Sequence, residues 1–376
     1  MLAWVAGETA SWYPGIGGSG AGLRLRKTHE RPRCRLYEIE IRGRDKVEMM
    51  VVKTRGLDAS RRRRDKYAAT RPMLTPPLTN DDAAAASTEY MGLQAMHVSL
   101  GKRPGRGLAS VQPLGLSTDL AAVAMQHVSA PSLREFALQR SRGMAPTVRD
   151  LPALLPWTNA GAWLKRYHAA VPADALPVLR GAQSEVVAMF EGFAGFLGPR
   201  TGHRALLDKF ADHAGQAAEM FLGDDLPTAA AHGDFVAQNM FVLGGGSVAA
   251  IDPFPQWQAP VLEDLGRILV GARLFEPDSH RPDYHAARPQ PRPRETALLS
   301  GYFGSGRIPV GPMRVYLALC TLDRWADTVS KEPPGLLRRQ VRSSRVAAAG
   351  KYYLRELRHQ LPLLLPTSRG WSDTWV

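Results

Sequence analysis

The sequence between His232 and Asp252 constrains the fold of this chain more than any other part. Two short apolar stretches, NMFVL and VAAID, flank the Gly-rich sequence at Gly244–Ser247 and predict a β-hairpin. Asp234 and Asn239 lie at the start of the first strand, and Asp252 ends the second. Because the open ends of a hairpin lie side by side, these three side chains are expected to converge. Carboxylate and amide oxygens suit Mg²⁺, so the sequence predicts an anionic metal site.

The positive charge of the chain is concentrated in its N-terminal part. The net charge is +13 over 376 residues, and residues 1–110 contribute +9 of it, from 20 Lys or Arg against 11 Asp or Glu. Such a field attracts phosphate groups, whether of nucleotides or of nucleic acids. The densest run, RRRRDK at Arg61–Lys66, is typical of a solvated loop, and no zinc-finger or homeodomain signature accompanies it. We therefore expect no nucleic-acid partner.

The composition is that of a globular protein. Hydrophobic residues make up 44% of the chain and charged residues 22%, and no run of 18 apolar residues predicts a membrane span. The first residues lack a basic region followed by an apolar core, which argues against a secretory signal. Cys34 and Cys320 are too few and too distant for a disulfide framework or a zinc site. These features favour a cytoplasmic protein and leave its oligomeric state open.

The order of the predicted elements indicates an α+β chain with two lobes. Residues 1–22 are Gly-rich and are predicted to form a flexible loop segment. Residues 23–128 hold several alternating strand patterns and one helix, and predict a small β-rich N-lobe. That lobe contains an insertion at about 55–82, which is basic at first and then rich in Pro, Thr, Asn and Asp. Residues 129–376 carry successive helical patterns and predict a larger C-lobe.

One lysine is placed so that it needs a partner. Lys53 follows the apolar sequence MMVV at the end of a predicted strand. Burying an ammonium without a partner is costly, so a carboxylate is expected beside it. Glu89 on the following helix is available, although the insertion between the two residues is long. The alternatives are a lysine exposed at the strand end and a carboxylate on the helix surface.

Several motifs occur in an order that is typical of one family. HGDFVAQN at 232–239 resembles a catalytic loop, IDPF at 251–254 a metal-binding segment, VVKT at 51–54 the lysine of a third strand, and MQHVSAPSL at 125–133 a linker between lobes. APVLEDLGRIL resembles the helix that follows, with Asp264 as an acid that supports the fold. In these motifs the chain resembles the aminoglycoside phosphotransferase and choline kinase-like family. The resemblance implies a bilobal protein kinase-like fold.

The same resemblance implies roles for the residues of the hairpin. Asp234 would act as the base that orients the acceptor hydroxyl and takes its proton. Asn239 and Asp252 would hold Mg²⁺ against the phosphates of ATP or GTP, and His232 would brace the loop through hydrogen bonds. The partner would be a small hydroxylated molecule. Phosphoryl transfer has a loose transition state, so catalysis would consist mainly of alignment and charge neutralisation.

The resemblance also implies a nucleotide site in the small lobe. Lys53 would contact the α- and β-phosphates, and Glu89 would position it. The backbone of the linker would hydrogen-bond the adenine, through residues Gln126, His127 and Val128.

The loop that would cover the phosphates lacks glycine. GIGGSG at Gly15–Gly20 formally matches a dinucleotide-binding motif, but neither the preceding strand nor the following helix of that motif is predicted. If LRLRK and RLYEIEI are the first two strands, the loop is Thr28–Cys34. Arg31 and Arg33 are then expected to contact phosphate with their side chains.

The sequence leaves the acceptor open. Family resemblance does not determine the substrate. The segments after residue 265 are rich in Arg, which favours a neutral or anionic acceptor, such as a sugar or a saccharide-containing natural product, over a polycationic aminoglycoside. Two alternatives stay open: a true aminoglycoside-resistance kinase, and a catalytically silent nucleotide-binding protein.

Overall fold

A computed structural model describes the chain over residues 1–16, 22–31, 34–56, 71–75, 81–102, 105–140, 150–223, 226–274, 292–330, 336–366 and 375. Its main sheet has five antiparallel strands in the order β1-β2-β3-β5-β4. The strands are β1 (Gly22–Glu30), β2 (Cys34–Arg42), β3 (Val47–Arg55), β4 (Pro113–Ser117) and β5 (Ala122–Gln126). The strands predicted from the alternating pattern are thus confirmed.

One face of this sheet is apolar. Ile39 and Ile41 on β2 and Met50 and Val52 on β3 are fully buried, two residues apart on each strand. Side chains at such spacing point to the same face of a strand. Ile39 lies directly opposite Met50 across the strand pair. The alternation therefore fixes the register and creates a surface that has to be covered.

The N-terminal residues supply that cover, and the prediction of a loop there is wrong for Leu2–Trp12. Residues Leu2–Trp12 form helix α1. Val5 and Thr9 are buried one turn apart, and the Trp12 ring lies so close to Gly115 of β4 that a Cβ there would approach it to 2.4 Å. Contact with the sheet, rather than local propensity, explains the helix. Residues 17–21 lie outside the described residues.

Helix α2 (Asp82–Lys102) packs on the opposite face of the sheet. Its buried residues Ala86 and Leu93 form one apolar cluster with Val123 and Met125 of β5 and with Ala249. Because Glu89 lies on the same side of the helix, between these two, it points toward β3. The helix thereby links the sheet to the hairpin that the sequence predicts.

The remainder of the chain is mainly helical. Its helices are α3 (Leu133–Arg140), α4 (Leu151–Ala170), α5 (Gln183–Thr201), α6 (Arg204–Phe221), α7 (Val261–Leu274), α8 (Pro293–Phe303), α9 (Val310–Ser330) and α10 (Leu336–Gln360). Two short strand pairs lie among them: β6 (Thr228–Ala230) with β9 (Gln258–Pro260), and β7 (Met240–Val242) with β8 (Val248–Ala250). Among the described helices none is both long and apolar enough to cross a membrane.

Two glycines allow α4 and α8 to cross at very short range. A Cβ on Gly161 would lie 1.9 Å from the carbonyl oxygen of Leu298, and one on Gly301 would lie 1.9 Å from that of Thr158. No side chain fits at such distances. Helix α4 is therefore held closely against α8.

Part of the predicted insertion at 55–82 packs on the helical lobe. Residues 57–70, with the Arg61–Arg64 run, and residues 76–80 lie outside the described residues. Leu74 is fully buried and belongs to the apolar core of the helices. Its backbone N–H donates to Asp323 on α9 over 3.3 Å, and Arg71 lies 3.5 Å from Asp327. The predicted lobe boundaries, 23–128 and 129–376, stay predictions.

Candidate active site

The hairpin predicted from the sequence is confirmed, and it places Asn239 beside Asp252. β7 and β8 pair with Met240 opposite Ala250, and the 3₁₀ turn at Gly244–Gly246 joins them. The N–H of Ile251 donates to the carbonyl of Asn239 over 2.9 Å, so the backbone next to Asp252 is held at the open end. Asp252 itself has φ of +59°, a backbone conformation that non-glycine residues rarely adopt.

Asp234 and Asn239 contact each other directly. The Asn239 Nδ2 donates to Asp234 Oδ2 over 2.8 Å and to the Asp234 carbonyl over 3.0 Å. The two bonds close the loop between the residues and fix the carboxylate of Asp234, whose side chain is exposed. The amide oxygen of Asn239 makes no hydrogen bond within the described parts of the chain.

Lys53 joins the sheet to this hairpin. Its Nζ lies 2.9 Å from Glu89 Oε1 and 2.9 Å from Asp252 Oδ1, so the predicted ion pair with Glu89 is present. Burial alone lowers the pKa of Lys53, but the charges of Asp252 and Glu89 outweigh it and raise this pKa above its usual value. Conversely, burial raises the pKa of Asp252, but the charge and hydrogen bond of Lys53, together with the charge of Arg55 and a hydrogen bond with Glu89, outweigh burial and lower this pKa.

The two carboxylates differ in exposure. The Glu89 side chain is fully buried, whereas that of Asp252 is 34% exposed. The Glu89 carboxylate is therefore shielded from any ligand in solvent, whereas that of Asp252 is accessible to one.

Asp264 holds the backbone of the loop before Asp234. Its carboxylate accepts the N–H of His232 over 2.7 Å and that of Gly233 over 3.1 Å, and His168 Nε2 lies 3.3 Å away. Burial raises the pKa of Asp264, but the hydrogen bond and charge of His168, together with smaller contributions from His232 and Arg267, outweigh burial and lower this pKa. Asp264 lies in the first turn of α7, where the sequence places an acid that supports the fold.

His232 braces the loop through hydrogen bonds of its backbone and not of its imidazole, since its N–H donates to Asp264 over 2.7 Å and its carbonyl accepts the N–H of Phe254 over 2.9 Å. His232 is fully buried, and neither ring nitrogen has a hydrogen-bond partner among the described residues. Instead the ring packs against aromatic rings, with centroids 5.2 Å from Tyr167, 5.2 Å from Phe235 and 5.9 Å from Trp163. Burial lowers the pKa of His232, which favours the neutral ring. The loop is held by its backbone, and the ring of His232 contributes packing.

Of the three linker residues, Gln126 ends β5 and His127 and Val128 follow it, and two of their three backbone N–H groups are already engaged. The N–H of Gln126 donates to Gln112 over 2.9 Å and that of His127 to Met49 over 3.2 Å. The N–H of Val128 makes no hydrogen bond within the described residues. Of the three residues predicted to bind a base, Val128 alone has an unengaged backbone N–H among the described residues.

The predicted phosphate-covering loop is shorter than Thr28–Cys34. β1 continues to Glu30 and β2 begins at Cys34, because Thr28 and Glu30 pair with β2 residues. Arg31 is exposed in the resulting turn, and its N–H donates to Cys34 over 2.9 Å. Arg33 lies outside the described residues. Cys34 lies opposite Arg55 in the sheet, so the turn is at the same end as Lys53.

Sequence reasoning missed one charged residue of the site, Arg55. It lies two residues after Lys53 and therefore on the same face of β3. Its Nη2 lies 2.6 Å from Glu89 Oε2, and its side chain is only 10% exposed. The spacing of two residues from Lys53 indicated that Arg55 lies on the same face of the strand. A charged residue at a strand end is, however, equally compatible with exposure to solvent, so the sequence alone did not assign Arg55 to the site.

The donors at the hairpin are few. No group of three or more His, Cys, Asp or Glu side chains able to hold a metal ion occurs in the described parts of the chain. Asp252 and Asn239 supply one carboxylate and one amide oxygen. Such a set leaves most of a coordination sphere to waters and phosphates, as Mg²⁺ sites in proteins commonly do.

Comparison with known proteins identifies the fold. No protein-family model matches the sequence, and no curated protein matches it significantly. The structure is similar to that of choline kinase from Cryptosporidium parvum Iowa II, with a TM-score of 0.51 and 10% identity over 97% of this chain and 96% of that one. Macrolide 2′-phosphotransferase from Brachybacterium faecium gives a TM-score of 0.49 and 14% identity, over 94% and 96%. The predicted resemblance and the bilobal protein kinase-like fold class, with a small β-rich and a larger helical lobe, are confirmed at the level of the fold.

Proposed function

We propose that the protein is a small-molecule kinase that moves the γ-phosphoryl group of ATP or GTP to a hydroxyl group. One observation carries this proposal. Lys53 contacts Glu89 and Asp252, each over 2.9 Å, and Asp252 follows a hairpin whose other end presents Asp234 bonded to Asn239. A phosphate-binding cation, an exposed carboxylate and hard oxygen donors thus meet where the sheet contacts the helical lobe. The similarity of the fold to that of a choline kinase supports phosphoryl transfer to a small molecule as the reaction class.

Asp234 is the proposed base. Asn239 holds one carboxylate oxygen of Asp234, Oδ2, and leaves Oδ1 toward the acceptor. A bond forms between the acceptor oxygen and the γ-phosphorus while the bond from that phosphorus to the β–γ bridging oxygen breaks. The hydroxyl proton passes to Asp234. Because the transition state is loose, the orientation of the acceptor contributes more than the basicity of the carboxylate.

Lys53 has to change one partner when a nucleotide binds. It bonds both Glu89 and Asp252. We infer that it retains Glu89, which is fully buried, and exchanges Asp252 for a phosphate oxygen. Asp252 and the amide oxygen of Asn239 then fit Mg²⁺, which prefers such ligands together with phosphate oxygens. The ion, when bound, neutralises charge on the phosphates.

We propose a neutral or anionic acceptor, such as a sugar or a saccharide-containing natural product. A polycationic acceptor needs exposed carboxylates near Asp234. Glu263 and Asp264, which follow the hairpin in sequence, are both buried and engaged by Arg180 and by the loop backbone. They are therefore unsuited to bind a cationic acceptor.

The test is transfer of phosphate from Mg-ATP or Mg-GTP to a panel of sugars, saccharide-containing natural products, choline and aminoglycosides, with product detected by mass. Asp234→Asn should abolish transfer and leave nucleotide affinity intact, whereas Gln238→Ala, at an exposed neighbouring position, should change neither. Transfer that survives Asp234→Asn undiminished contradicts the proposal. If no acceptor reacts, a thermal shift with Mg-ATP that Lys53→Met removes identifies a silent nucleotide-binding protein.

A further inference from the structure

Glu89 is held from two sides by two cations. Its Oε1 lies 2.9 Å from Lys53 Nζ, and its Oε2 lies 2.6 Å from Arg55 Nη2. Both cations come from β3 and Glu89 comes from α2, so the contacts fix the helix to the strand. The Glu89 side chain is fully buried and that of Arg55 is 10% exposed. Water therefore screens neither contact well.

Arg55 also contacts the segment that carries Asp252. The guanidinium carbon lies 4.9 Å from the centre of the Phe254 ring, a cation–π distance. Phe254 is two residues beyond Asp252, and its N–H donates to the carbonyl of His232 over 2.9 Å. One arginine thus connects Glu89 with the hairpin and the loop before Asp234.

The charge count of this cluster depends on Arg55. Lys53 and Arg55 are positive, and Glu89 and Asp252 are negative, so the four side chains sum to zero. Without Arg55 the sum is −1. Nucleotide phosphates are anionic, and they would then approach a cluster of net negative charge. Arg55 also holds the carboxylate of Glu89 in place, and Glu89 is the partner that Lys53 would keep when it releases Asp252.

We propose that Arg55 is a positioning residue of the nucleotide site, which acts through Glu89 on Lys53 and sets the affinity for nucleoside di- and triphosphates. The inference rests on the proposed function, because it assumes that Lys53 binds phosphate. It assigns Arg55 no contact with the nucleotide and no part in proton transfer.

The experiment measures the dissociation constant of ADP by calorimetry, with and without Mg²⁺. Arg55→Met should weaken Mg-ADP binding about tenfold, the effect of one lost charge-assisted hydrogen bond. The loss should be larger for ADP without Mg²⁺, because no metal charge then offsets Asp252. Arg55→Lys, which keeps the charge but not the fork, should recover part of the affinity. Arg42→Met, on a side chain that is 61% exposed, is the matched control and should bind like wild type.

A double-mutant cycle tests the route through Glu89. In a Glu89→Gln background, Arg55→Met should cause little further loss, and a full tenfold loss there would overturn the proposal. If Arg55→Met binds ADP with wild-type affinity while Lys53→Met binds it more weakly, the inference about Arg55 is overturned and the proposed function is not. Absence of ADP binding by the wild-type protein overturns the proposed function as well. If Arg55→Met shows no cooperative thermal unfolding, Arg55→Gln, neutral but still a donor to Glu89, replaces it with the same outcomes.

Discussion

We expect the stability of the loop before Asp234 to depend strongly on the carboxylate of Asp264, which lies in the first turn of α7. Its Oδ2 accepts the N–H of His232 over 2.7 Å, and its Oδ1 accepts that of Gly233 over 3.1 Å. Asp264→Asn keeps the shape but turns one oxygen into an NH₂ group, which then faces one of these N–H donors. We expect that loss of one hydrogen bond to a charged acceptor, worth about 1.5–3 kcal/mol, and weakening of the others will lower the free energy of unfolding by about 2–4 kcal/mol.

Urea denaturation followed by fluorescence measures this change, with Asp208→Asn as the matched control. Asp208 is 51% exposed and lies 3.5 Å from Arg204 one turn earlier on the same helix. Its substitution should change the free energy of unfolding by about 0.5 kcal/mol or less. An Asp264→Asn variant no less stable than Asp208→Asn would refute the reasoning that the loop is held by this carboxylate.

The contribution of Asp264 to the free energy of unfolding should also depend on pH. Burial raises the pKa of Asp264, but the hydrogen bond and charge of His168 and the smaller contributions of His232 and Arg267 together lower it. Its contribution to stability is therefore present above the ordinary pKa of an aspartate and is lost as the pH falls through the lowered pKa of the folded state. The difference in stability between wild type and Asp264→Asn should narrow in acid.

Three further predictions concern packing and titration. Gly161→Ala should lower the melting temperature, at a cost of about 1–3 kcal/mol or more from overpacking; Gly195→Ala, an exposed helix position with nothing within 4 Å, should raise it slightly, by about 0.5–1 kcal/mol. Leu74→Ala should lower the free energy of unfolding, measured by urea denaturation, by about 2–5 kcal/mol. A loss of only about 0.5 kcal/mol, as for an exposed position, would show that the segment 71–75 does not pack in the core. Burial, with the charge of Glu48, raises the pKa of Tyr13 to about 12, so stability should fall between the usual tyrosine pKa and that value. Tyr13→Phe should flatten this part of the pH profile.

The hairpin was predictable because its signals are local. The strand residues 240–242 and 248–250 and the turn between them lie within eleven residues of sequence, and a Gly turn determines which residues meet. The position of Asn239 next to the backbone that precedes Asp252 then follows from chain geometry alone. The ion pair of Lys53 with Glu89 was predictable for another reason: a charge after four apolar residues is costly without a partner.

The features that sequence reasoning missed depend on contacts between distant parts of the chain. Helix α1 is stabilised by the sheet, whose apolar face has to be covered. Leu74 is buried by helices that lie far away in sequence, next to a stretch whose composition is that of a loop. His232 occurs in a motif that suggests hydrogen bonding, yet three aromatic rings surround it. In each case the decisive energy is burial against a surface that only the folded chain provides.

The arginine-rich sequence after residue 265 shows why charge counts mislead about an acceptor. The Arg267 side chain is only 11% exposed and lies 3.0 Å from Glu263, one turn earlier on α7. Arg273 is likewise buried and binds both Glu295 and Glu356. These pairs neutralise Arg267 and Arg273 and join α7, α8 and α10, so these two arginines serve the packing of the described helices. A positive field at the acceptor would have to come from exposed residues, and the argument for a neutral or anionic acceptor therefore rests on the buried, engaged carboxylates Glu263 and Asp264 rather than on the number of arginines.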